Sequence, residues 1–91
     1  DVTADKTQTD CEKLAGFGRY RHVYESAYRI ELKNAKEEAV TVKVLEPMPG
    51  DWEVLEESHP PVREAAGTAV WQVPVPAGGE ATLSYRVRVR Y

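Results

Sequence analysis

Apolar and polar residues alternate along most of the chain with a period of two. From Tyr20 to Lys33 the even positions carry Tyr20, His22, Tyr24, Ser26, Tyr28, Ile30 and Leu32, and the odd positions carry Arg21, Val23, Glu25, Ala27, Arg29, Glu31 and Lys33. An aromatic and aliphatic side set against a mostly charged one predicts a long, half-buried strand. Asn34 to Glu38 is polar and turn-forming, and Val40, Val42 and Val44 then alternate with Thr41 and Lys43. Two such strands across a short polar loop read as a hairpin. The next stretch, Glu46 to Val54, stops one apolar run and starts another. Pro47 and Pro49 each remove a backbone donor, and Gly50-Asp51 is turn chemistry, so a strand ends here. Trp52 and Val54 then share a face opposite Glu53, Leu55 and Glu57. The corner between them is a natural crossing from one sheet to another.

Ser58 to Gly67 reads as an irregular link. Ala69, Trp71, Val73 and Val75 alternate with Thr68, Val70 and Gln72, Pro76 to Glu80 is a turn, and Leu83, Tyr85, Val87, Val89 and Tyr91 oppose Thr82, Ser84, Arg86, Arg88 and Arg90. The first eleven residues alternate only weakly and are expected to form an edge strand at most. No segment has a helical period. The expected fold is all-β, an immunoglobulin-like antiparallel β-sandwich of six to seven strands, as one domain over residues 1–91. The expected inward set is Tyr24, Tyr28, Ile30, Leu32, Val40, Val42, Val44, Trp52, Val54, Trp71, Val73, Leu83, Tyr85, Val87 and Val89.

Composition narrows the possible partners. The net charge is −3, which disfavours nucleic acid, where attraction to phosphate supplies much of the affinity. No apolar run is long enough to span a bilayer, so membrane insertion by this chain is not expected. The single cysteine, Cys11, has no internal disulfide partner. The chain opens at Asp1 without methionine or a basic-then-apolar leader, so it is expected to be a piece of a larger protein whose targeting signal lies elsewhere.

Candidate chemistry is sparse. His22 and His59 are the only imidazoles, without the ligand spacing of a metal site, so neither metal nor cofactor is expected. Ser26, Ser58 and Ser84 lack a nucleophile context, and Cys11 is flanked by acids that raise a thiol's pKa. Glu37-Glu38 and Glu56-Glu57 are adjacent pairs, and neighbours on a strand face opposite ways. No catalytic residue is expected. Arg86, Arg88 and Arg90 form a stripe able to hold phosphate or an acidic glycan, or to pair across strands with glutamates such as Glu25 and Glu31. Pairing is preferred because the chain as a whole is acidic. The Pro47–Met48–Pro49 corner and Trp52 are the other candidate interaction surface.

Three stretches carry a family resemblance: DVTADKTQTD at the start, YRIELKNAKEEAVTVKVLEPMPGDWEVLEES in the middle and WQVPVPAGGEATLSYRVRVRY at the end. Asn34-x-Lys36, the Glu46-to-Trp52 corner and the Pro76-to-Tyr91 ending are their most specific elements. Together they resemble the carboxy-terminal module of the bacterial proteins grouped as domain of unknown function 4139. The resemblance implies a β-sandwich without assigned catalytic residues, in larger proteins of which several carry export signals, hence a secreted or cell-envelope setting. It also implies that strands of the full family domain precede Asp1, which would leave a strand edge of this piece open. The expected role is non-catalytic, structural or protein-interacting, with the rest of the parent protein or another protein as partner. The alternative is a carbohydrate- or polyanion-binding module using the arginine stripe or the Pro47–Trp52 corner.

Overall fold

A computed structural model describes residues 1–65 and 67–91, with residues 62–65 described through their backbone alone. The described chain forms seven strands: β1 (Val2–Leu14), β2 (Val23–Asn34), β3 (Val40–Pro47), β4 (Asp51–Glu57), β5 (Pro61–Ala65), β6 (Thr68–Val75) and β7 (Glu80–Arg90). They build a four-stranded sheet, ordered β1-β2-β7-β4, and a three-stranded sheet, ordered β3-β6-β5. Every pairing is antiparallel. Four strands over three are the proportions of an immunoglobulin constant domain, whose sheets hold the first, second, fifth and fourth strands and the third, sixth and seventh. Here β5 and β7 have exchanged places, and the last strand lies inside the larger sheet.

The predicted strands are present with shifted ends. β2 begins at Val23 rather than Tyr20, because Arg21 and His22 turn their amides to the Tyr91 carbonyl as the chain enters the sheet. The weak first segment is a strand of 13 residues, paired with β2 along its length and exposed at nearly every position. Its weak alternation is that of an edge strand with little to bury. The Ser58–Gly67 link is corrected. It contains β5, which pairs with β6 from Pro61↔Trp71 to Ala65↔Thr68, while Ala66 lies outside the described residues. Pro61 opens that strand at a sheet edge, where a missing N–H is tolerated. Pro74 sits in the middle strand β6, but β5 reaches only from Thr68 to Trp71, so among the described residues Pro74 has a strand neighbour on one side alone.

Trp71 stands at the centre of the core, fully buried, its ring stacked on Tyr85 of the opposite sheet at 4.5 Å between centroids. Among the described residues its buried indole N–H has no hydrogen-bond partner. Ile30, Leu32, Val73, Leu83 and Val87 surround the pair, as their phase predicted, with Ala69 and Val75 added. Val23 and Val70 are also buried, on the alternate phase of their strands. The remaining expected core residues, Tyr24, Tyr28, Val40, Val42, Val44, Trp52, Val54 and Val89, are only half-buried.

One end of the sandwich is knitted by Asn34, the only buried polar residue among those described. Its side-chain amide donates to the carbonyls of Glu38 at 2.9 Å and Pro76 at 3.2 Å, and its Oδ1 accepts from the Lys36 N–H at 2.9 Å. Its own N–H donates to Gly79. The two connections that cross between sheets here, β2 to β3 and β6 to β7, are thereby joined. At the opposite end the strands are out of step. β2 and β7 run for 12 and 11 residues, whereas β3 and β6 run for 8 each. At a strand rise of about 3.4 Å per residue, the larger sheet overhangs by roughly 10–14 Å.

Truncating Trp71 removes the contact that spans both sheets. Trp71→Ala is expected to cost about 3–5 kcal/mol, a large share of the roughly 5–15 kcal/mol available to a small domain. Urea unfolding followed by circular dichroism reads this directly, and an unchanged midpoint would remove Trp71 from the centre of the core.

Candidate functional site

The overhang creates a cleft. At the end of β3, the chain turns at Pro47–Met48–Pro49 and crosses to the larger sheet, where β4 begins at Asp51. Gly50 makes this possible. It has φ +61°, and a Cβ there would lie 2.4 Å from the Arg90 carbonyl oxygen. The corner forms one wall of a cleft of about 300 Å³. Its floor is the inner face of the larger sheet, carrying Tyr24, Ser26 and Tyr28 from β2 and Tyr85, Val87, Val89 and Tyr91 from β7 and its end. Lys6 and Cys11 of β1 and Glu46 of β3 complete the lining.

The polar groups in this cleft balance one another. Lys6 and Glu46 form an ion pair at 2.8 Å, joining β1 to β3 across the sandwich, and the Lys6 ammonium lies 4.5 Å from the centroid of the Tyr28 ring. Burial pushes the Tyr85 hydroxyl well above its ordinary pKa, with the Glu46 charge and Tyr28 adding to the effect, so it stays protonated at neutral pH. The cleft is therefore an uncharged, aromatic surface with one matched ion pair. At its outer end His22, Tyr24 and Tyr91 gather, with His22 and Tyr24 rings 6.4 Å apart and Tyr24 and Tyr91 rings 6.1 Å apart. Tyr20 in the β1–β2 loop bonds Asp51 through its hydroxyl and braces the start of β4.

The arginine stripe lies on the other face. On β7, Arg86, Arg88 and Arg90 alternate with Tyr85, Val87 and Val89 and point away from the second sheet. Arg86 bonds Asp10 at 2.8 Å and Glu25 at 3.2 Å, with Glu12 at 3.7 Å. Arg88 shares Glu25 at 3.2 Å, and Arg90 reaches Glu53 at 3.1 Å. Glu25 thus pairs with the stripe as expected, whereas Glu31 pairs with Arg29 along its own strand. Hydrogen bonds from Arg86 hold the carboxyls of Asp10 and Glu25 below their ordinary range, Arg88 adds to the effect on Glu25, and the two acids in turn raise the pKa of Arg86.

The structure separates the residues that the sequence singled out. Pro47, Met48 and Pro49 wall the cleft, Trp52 turns inward and packs against the core, and the three arginines occupy the outer face. Ser58 is bonded to His59 at 2.7 Å and accepts the Ser84 N–H at 3.0 Å, which pins the link after β4 to β7. The cleft residues missed from sequence are Lys6, Cys11, Ser26, Glu46 and Tyr91, while Tyr24, Tyr28, Tyr85, Val87 and Val89 were placed in a closed core. Unequal strand length was the available signal, since the long alternations in β2 and β7 outrun those of β3 and β6.

Fold and cleft together define an all-β sandwich domain with one open apolar side. The chain matches, over residues 1–91, the family described as a domain of unknown function, DUF4139, and belongs to it. No curated protein and no solved structure matches it.

The carboxylate pairs set an acid dependence. Because the folded-state pKa values of Glu25 and Asp10 are depressed, their contribution is complete above the ordinary values of 4.5 and 3.8 and is lost as pH falls through the folded values. The urea midpoint should fall as pH drops below about 4.5, and Glu25→Gln should flatten that fall. An identical profile for the variant would show that Glu25 has no such coupling.

Proposed function

We propose that this domain is a non-catalytic packing and interaction module that uses the cleft to hold polypeptide, either the rest of its own protein or a partner. The carrying observation is the cleft itself. Tyr24, Tyr28 and Val89 remain half-buried there, on the apolar face of a sheet whose other face is laced with ion pairs. A small domain gains from covering such a surface at roughly 25 cal/mol per Å² of apolar area. The family resemblance supports a bacterial cell-envelope setting for the parent protein. The polyanion reading draws less support, because each arginine of the stripe already meets a carboxylate. A carbohydrate reading rests on the aromatic end of the cleft, and glycan binding competed by Tyr24→Ala would establish it instead.

Cys11 provides the test, being the chain's single cysteine, exposed, and part of the cleft lining. Its maleimide labelling rate should be about ten-fold slower in the intact protein within bacterial cells than in the purified chain, as for a site covered nine-tenths of the time. Met48→Asp should restore the faster rate in cells. Equal rates in the two settings would reject the cleft as an occupied surface.

A further inference from the structure

The smaller sheet is one strand short of the larger. Among the described residues β3 has a strand neighbour on one side only, β6, and its other edge is open. The Lys6–Glu46 ion pair joins β1 to β3, so β3 runs on the β1 side of the sandwich and its open edge faces that side. Burial along the two neighbouring strands agrees. Trp71, Val73 and Val75 of β6 are fully buried, whereas Val40, Val42 and Val44 of β3 point into the same interior and are only half-buried. A seam of partly exposed valines thus leads along β3 to the cleft at its end, where Met48, Tyr24 and Tyr28 continue the apolar surface.

The chemistry of the seam selects its occupant. An open strand edge offers amide N–H and carbonyl groups at strand spacing, a pattern matched by another extended backbone. On its inner side the edge is lined by the half-buried Val40, Val42 and Val44 of β3, which calls for apolar side chains at every second position beside them, since alternate side chains of a strand point the same way. Lys6 and Glu46, the ion pair beside the seam, already satisfy one another. A compact small molecule fits poorly, as about 300 Å³ lies at the bottom of the range for ligand pockets and this cleft is open along one side. Lys6, with 43% of its side chain exposed, reaches from β1 to Glu46 near the end of β3.

We infer that the cleft and the open edge of β3 together accept an extended polypeptide segment, added beside β3 as a fourth strand of the smaller sheet, with apolar residues at alternate positions facing the cleft. The inference rests on the reading of this domain as an interaction module and names the form its partner takes. The added strand would lie opposite β1, giving both sheets four strands.

The test is selection of a displayed library of linear peptides of about eight residues, the usual strand length, against the purified chain. Binders are expected to alternate apolar and polar positions and to slow hydrogen exchange in β3. N-methylation provides the sharper reading, because successive amides of a strand point to opposite sides. Methylating two amides of one parity should weaken binding by about ten-fold or more, while methylating the other parity should leave it nearly unchanged. Ser26→Arg, which places a long side chain in the cleft floor, should abolish binding with the fold retained. The N-methyl comparison needs no variant, so it decides the matter even where Ser26→Arg fails to fold. Recovery of no binder, of binders insensitive to both methylation patterns, or of helical binders overturns strand addition. Slow labelling of Cys11 in the intact protein alongside any of those results would leave the interaction reading standing and reject only this form of it.

Discussion

The two sheets of this domain meet at one central stacked contact, Trp71 on Tyr85. Each ring belongs to the inner face of a different sheet, and the aliphatic residues around them fill the space that the rings set. The sandwich around that stack is asymmetric, because β2 and β7 outrun β3 and β6. On the side of Asn34 the crossovers are short and tied together, and Leu32, Asn34 and Val75 are buried. On the other side the larger sheet continues past Val87, beyond the described strands of the smaller sheet, so an inner face that begins as core ends as cleft.

Charge is distributed to suit that arrangement. The outer face of the larger sheet carries arginines and carboxylates on neighbouring strands, which satisfy one another locally and leave little field to project. Exposed pairs of this kind contribute little stability individually. Their main consequence is specificity of surface, because a face covered in matched charge does not compete with the apolar cleft for an uncharged partner. The sandwich is therefore two-faced, polar and self-satisfied outside, aromatic and incompletely covered at one end inside.

Much of the fold was legible in the sequence because a period of two is a direct record of a sheet with one buried side. Leu83, Tyr85 and Val87 show it in β7, and Ile30 and Leu32 show it in β2. The corner at Pro47 to Asp51 was legible for a different reason, since two prolines and a glycine permit few backbone courses. What alternation does not record is how far the opposing sheet extends. Tyr24 and Val89 carry the same pattern as Ile30 and Leu83 but lie beyond the second layer. β5 was hidden because Pro61 and the absence of alternation resemble a loop, and pairing with β6 is what makes it a strand. The cleft residues Lys6 and Cys11 come from an edge strand whose sequence reads as nearly featureless.

The exchange of β5 and β7 relative to the immunoglobulin arrangement has a bearing on how this chain can be made. The last strand of the chain is an interior strand of the larger sheet, hydrogen-bonded to β2 on one side and β4 on the other. During synthesis β2 and β4 therefore emerge without the element that joins them, and among the described residues β4 has no other strand neighbour in its sheet. The larger sheet closes only when the segment from Glu80 to Arg90 is free to enter. Folding that depends on such distant contacts is slow and leaves strand edges exposed meanwhile. The β1–β2 pair and the smaller sheet can form without that eleven-residue strand, but the larger sheet cannot be completed before it is in place.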